Sequence, residues 1–231
     1  MNEIIQRISI MALPLIFAVT LHEAAHAWVA DKKGDNTARQ LGRITMNPLA
    51  HIDLFGTIVI PLMLFITTNG FIFGYAKPVP VNPLNLRRPK EDMAWVAAAG
   101  PGMNLLLAII SGVLYRILYD PNVLRGGSLF SGIGGIAAYF LVPLLSMLRF
   151  SVFINVALMF FNLIPIPPLD GGRVLVGLLP SRQSRLMSRV EPFGMLVIVF
   201  VVFLDPFGLM RNVVWPLVSI VSSYIFGDFI V

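Results

Sequence analysis

The chain is 231 residues long, 57% hydrophobic and 13% charged, with a mean hydropathy of +0.82. Soluble domains carry about a quarter charged residues, so this composition excludes one and describes a polytopic membrane protein. The absence of cysteine excludes disulfides, a thiol nucleophile and thiolate-bound metal, and the net charge of +5 falls beside apolar segments, which points to membrane orientation and not to nucleic acid.

Apolar segments lie at about 4–31, 54–73, 93–117, 138–164, 192–205 and 212–230. The first holds two of the three histidines, His22 and His26, with Glu23 between them. On a helix, positions i and i+4 share one face, so both imidazoles reach one metal ion and Glu23 sits beside them. Zinc held this way takes a third protein ligand and leaves a fourth position to water. Each charged group at a membrane-helix centre costs roughly 2.5–3.5 kcal/mol on insertion scales, a cost that a bound metal offsets. With 3 His and 4 Glu in 231 residues, chance produces this spacing on the order of 10⁻³ times. A rival reading takes Ala25-His26-Ala27 as a signal-peptide cleavage site. Against it, Glu3 accompanies Arg7 at the start, and the apolar run continues through Trp28 and Val29.

His51 lies in a loop after Pro48 and reads as a cap or a support behind a metal ligand, while Asp53 is expected to cap the helix that follows. That helix, from Leu54 to Ile66, is interrupted by Thr67-Thr68-Asn69-Gly70, and about 13 residues do not span a bilayer. The stretch Gly74–Val81 is rich in proline and β-branched residues, which disfavour helix and mark an edge strand. An unwound peptide can pair there, along Tyr75, Ala76, Lys77 and Val79. In the next segment Ala97–Gly102 is a run of small residues suited to close helix packing, and Asn104 is a candidate for an interhelical hydrogen bond or for support of the site. Arg149 stands inside segment 138–164, where snorkelling or the bundle interior is its only evident accommodation. That segment ends in Asn162-Leu-Ile-Pro165-Ile-Pro167-Pro168-Leu-Asp170-Gly171-Gly172. Prolines stop the helix, so Asp170 sits on irregular backbone, tolerated at membrane depth only where it is buried in protein or lines a watery cavity.

If Asp170 is the third ligand, it must face the same side of the membrane as His26, because zinc–ligand bonds are about 2 Å and the hydrocarbon about 30 Å. With segments 93–117 and 138–164 crossing once each, segment 54–73 must be re-entrant. Twelve of the 17 basic residues then fall on one side, consistent with the positive-inside rule.

His22-Glu23-x-x-His26, Asn162-x-x-Pro165-x-Pro167-x-x-Asp170-Gly171 and Ala99-Gly100-Pro101-Gly102-Met103-Asn104 together resemble the site-2 proteases, which are intramembrane zinc metalloproteases. The stretch Asn47–Asp53 resembles a compact bacterial subgroup without PDZ or CBS domains. The resemblance implies that His22, His26 and Asp170 bind one Zn²⁺, that Glu23 activates water, and that Asn162 helps hold the substrate or the oxyanion. It also implies a membrane-inserted β-hairpin around Gly74–Asn82.

The expectation is therefore an all-α polytopic membrane protein with about five transmembrane helices and a re-entrant helix and β-hairpin segment. It forms a single domain over 1–231, with a core of about 4–180 and a C-terminal helical hairpin over about 190–231. Its expected activity is intramembrane cleavage of membrane-anchored proteins at or near their spanning segments. The partners are those substrates, the lipid bilayer and an accessory or upstream protease, with no nucleic acid. The expected location is the bacterial cell (inner) membrane, multi-pass, with the site toward the cytoplasm. The competing readings are an ion-coupled transporter, which calls for paired broken helices of which the sequence shows one, and an inactive metal-binding scaffold, against which Glu23 argues.

Overall fold

The computed structural model describes residues 2–53, 56, 59, 63, 77–119, 134–189 and 191–227. They form helices α1 (Asn2–Lys33), α2 (Thr37–Gln40), α3 (Pro89–Leu118), α4 (Gly134–Asn162), α5 (Asp170–Leu178), α6 (Ser181–Ser188), α7 (Glu191–Leu204) and α8 (Trp215–Phe226). No strand occurs among the described residues. Among the described residues three stretches are long and apolar enough to cross a membrane, Ile8–Lys33, Pro89–Leu118 and Tyr139–Asn162, and they match the segments expected at 4–31, 93–117 and 138–164. Most of the re-entrant segment 54–73, and Gly74, Tyr75 and Ala76 of the hairpin, lie outside the described residues. Asp53 accepts a hydrogen bond from the Gly56 N–H at 2.7 Å, three residues on, which is the contact of a helix N-cap.

The chain divides into two compact units. One comprises Met1–Ala18, Asn104–Phe161 and Val199–Val231. Here α3 and α4 run antiparallel, joined by two polar rungs in an otherwise apolar setting: Asn104 donates to Asn155 Oδ1 at 2.8 Å, and the Ser111 and Ser151 hydroxyls pair at 2.8 Å. Asn104 is fully buried and also donates to the Ala18 carbonyl at 3.3 Å, so it ties α1, α3 and α4 together. In hydrocarbon such a bond contributes about 0.6–2 kcal/mol. Between α7 and α8 the chain turns at Asp205, whose carboxylate accepts from the Met210 and Arg211 N–H groups, both at 3.0 Å.

The other unit comprises Val19–Met103 and Asn162–Ile198. Its apolar core gathers Ala30 of α1, Leu86 just before α3 and Val96 of α3, with Val29, Val81 and Met93 against them. Asp35, just past the end of α1, is fully buried and accepts four hydrogen bonds: from the Thr37 N–H (3.1 Å) and hydroxyl (2.5 Å), the Asn82 N–H (2.7 Å) and Asn85 Nδ2 (3.0 Å). Burial pushes its carboxyl up, but these bonds outweigh that and hold it below the ordinary carboxylate value. Lys33 pairs with Asp92 at 3.0 Å, fixing the end of α1 to the start of α3. A turn through Leu163–Leu169 then leads into α5, and it is close-packed. A Cβ on Gly171 would meet the Leu163 and Ile164 carbonyls, and one on Gly172 would meet the backbone of Ile166 and Pro167.

Candidate metal centre

α1 presents His22 and His26 one turn apart, and the first residue of α5 presents Asp170; all three are buried. The His22 and His26 Nε2 atoms are 3.0 Å apart, and Asp170 Oδ2 lies 3.1 Å from the first and 3.4 Å from the second. Four ligands at 2.0–2.1 Å around a tetrahedral ion stand about 3.3 Å from one another, so these separations match the edges of a zinc coordination tetrahedron. His26 Nδ1 lies 2.7 Å from the Val96 carbonyl and must carry the proton there, which turns the Nε2 lone pair toward the other two atoms. Asp170 Oδ2 is buried without a hydrogen-bond partner. Burial raises the Asp170 carboxyl, but the two imidazoles prevail and hold it well below the usual range. Its place in the first turn of α5 also favours the anion. Two lone pairs and a carboxylate oxygen converging in a buried site fit a divalent cation.

One turn of α3 shapes this centre twice. Val96 supplies the carbonyl to His26, and Gly100 supplies room, since a Cβ there would fall within 3.0 Å of both imidazoles. Gly102 has nothing within 4 Å of such a Cβ. The packing reading of the small-residue run therefore holds at Gly100, where the neighbours are the imidazoles themselves.

Glu23 lies beside the centre, and its Oε2 accepts the Val79 N–H at 2.9 Å. Residues 77–82 run without helix or strand, pinned from two sides. The Lys77 N–H donates to the His51 carbonyl at 2.9 Å, and Arg43 donates to the Lys77 and Pro78 carbonyls at 3.4 and 3.2 Å. His51 is buried and its Nε2 meets the Thr45 carbonyl at 3.2 Å; it stands outside the group of three residues that could hold a metal and touches segment 77–82 through its backbone. Asn162 closes α4, and Asn104 belongs to the polar rungs described above. Tyr75 and Ala76 lie outside the described residues. A cavity of about 740 Å³ is lined by Pro78, Val79, Lys90, Pro167, Arg173 and Glu191, among others.

Sequence reasoning missed Asp35, Arg43, Asn155 and the Val96 carbonyl. Asp35 and Asn155 carried a weak signal as polar groups at the edge of, or within, apolar runs. A backbone carbonyl carries none.

The model of Peptidase family M50 matches residues 10–204. The chain belongs to this family, the site-2 proteases. Among the relatives of the M50 chain is YwhC of Bacillus subtilis (strain 168), provisionally named a zinc metalloprotease: 36% identical over 211 residues, covering 90% of this chain and 85% of YwhC. Rip2 of Mycolicibacterium smegmatis and Rip2 of Mycobacterium tuberculosis (strain H37Rv), which carry the same provisional name, are each 28% identical. They cover 80% and 83% of this chain, which spans 62% and 65% of their lengths. No solved structure matches. The M50 chain is a zinc metalloprotease of the membrane, acting on protein substrates there, and membership of a peptidase family sets the transporter reading aside.

Proposed function

We propose that this metalloprotease is an intramembrane endopeptidase that cleaves membrane-anchored proteins within or near their spanning segments, with His22, His26 and Asp170 as its zinc ligands. The observation that carries this reading is the convergence of three donor atoms at 3.0–3.4 Å, two inside an apolar helix and one just after a proline-broken turn. Zinc bound there lowers the pKa of its water toward 7 and polarises the scissile carbonyl. Glu23 is the general base: its carboxylate takes the proton of the attacking water and passes it to the leaving amine.

A helical substrate hides its carbonyls in its own hydrogen bonds, so it must be extended before it is cut. Segment 77–82 is suited to receive it as an added strand, with Asn162 helping to orient the peptide. Seating the peptide there exchanges the Val79 N–H from Glu23 to the incoming chain and frees the base. The same reading gives one domain with about five spans and a re-entrant segment 54–73, placed in the bacterial cell membrane with the site toward the cytoplasm. Substrates have short ectodomains or are first trimmed by an upstream protease. The test is Glu23→Gln: cleavage of a membrane-anchored substrate in detergent should vanish while one zinc per chain is retained. Undiminished cleavage by that variant overturns the assignment.

A further inference from the structure

In the unit formed by 1–18, 104–161 and 199–231, a cavity of about 520 Å³ lies between α4 and α8. Its apolar part is lined by Phe150, Phe153 and Trp215, the last two stacked with centroids 6.2 Å apart. Its polar part holds Arg149, Ser219, Ser222 and Ser223. The Arg149 guanidinium sits 5.5 Å from the Phe226 ring and forms no ion pair among the described residues. Ser222 is 7% exposed, and its hydroxyl is buried without a hydrogen-bond partner. A cation without a counter-ion and a buried donor without an acceptor thus line one cavity.

The depth of Arg149 follows from the polar rungs. Arg149 is two residues beyond Ser151, about 3 Å along α4, and α3 ends seven residues beyond Ser111, about 10 Å along its axis. The difference of about 7 Å is within reach of an arginine side chain, and the Phe226 ring beside the Arg149 guanidinium also packs on Tyr115, close to the end of α3. Arg116 marks the same level, donating to the Tyr224 carbonyl near the end of α8 at 2.7 Å. Lipid phosphates meet a membrane protein at such a level, with their acyl chains running inward beside it.

We propose that this cavity binds an anionic phospholipid, its phosphate on Arg149 and the Ser222 hydroxyl and one acyl chain along Phe150, Phe153 and Trp215. The test is native mass spectrometry of the full chain in mild detergent, offering phosphatidylglycerol, a diacylglycerol with the same acyl chains, or inorganic phosphate. Phosphatidylglycerol should be retained in one copy, and diacylglycerol at least about tenfold less. Millimolar inorganic phosphate should leave the bound lipid in place. Arg149→Gln should weaken retention about tenfold and Ser222→Ala several-fold, while Arg149→Lys stays close to wild type. Equal zinc content in all variants confirms that they fold. Equal retention of diacylglycerol, displacement by inorganic phosphate, or unchanged retention in both Arg149→Gln and Ser222→Ala overturns the proposal. Should Arg149→Gln fail to fold, Ser222→Ala decides.

Discussion

Gly100 has no side chain, yet the metal centre depends on it more than on most residues that have one. A methyl group there would press within 3.0 Å of both His22 and His26, and the imidazoles, packed in a buried site, have no room to retreat. Gly100→Ala should therefore lower zinc affinity and peptidase activity by about 10–100-fold, the usual effect of disturbing a ligand's supporting contacts. Gly102→Ala, two residues away and facing open space, should leave both within about twofold; zinc per chain and turnover of a test peptide are the measurements. The candidate ligands were legible in the sequence because an i, i+4 pair needs only helix geometry, and Asp170 because prolines announce a broken helix. The role of Gly100 was legible only as smallness. Which turn of α3 faces the histidines depends on how two distant segments pack, and the spacing of residues within either one does not encode it.

At the scale of elements, Asp35 fastens the stretch Asn82–Asn85 to the end of α1, and through that stretch it anchors residues 77–81 just before it. Its folded-state carboxyl titrates below the ordinary value, so its contribution to stability is complete above about pH 5 and is lost as the pH falls through the carboxylate range. Asp35→Ala should cost about 1–3 kcal/mol at pH 7, because the Asn82 N–H and its neighbours lose a buried acceptor. Between pH 6 and pH 3 the thermal midpoint of the wild type should fall toward that of the variant, read by scanning fluorimetry in detergent. The three long helices were legible from hydropathy alone, since length and composition decide them. The buried anchors were not: an acidic residue past a helix end reads as solvated until its partners, some fifty residues away, are brought to it.

For the whole molecule, the decisive question is how many times the chain crosses between α1 and α3. A native chain without cysteine is a clean background for single-cysteine labelling. Gln40→Cys, Arg88→Cys and Arg182→Cys should all react with an impermeant maleimide from one side of the membrane, and Arg125→Cys from the other. Gln40→Cys and Arg88→Cys reacting from opposite sides would make segment 54–73 a true span. Across the same region runs the contact that joins Glu23 to Val79, 56 residues on. Residues 77–82 and the Glu23 carboxylate are thereby tied to each other. On the proposed reading a peptide that takes over the Val79 N–H releases the carboxylate, so the arrival of a substrate reaches the reacting atoms through the loss of a single hydrogen bond. Until then the Val79 N–H occupies Glu23 Oε2.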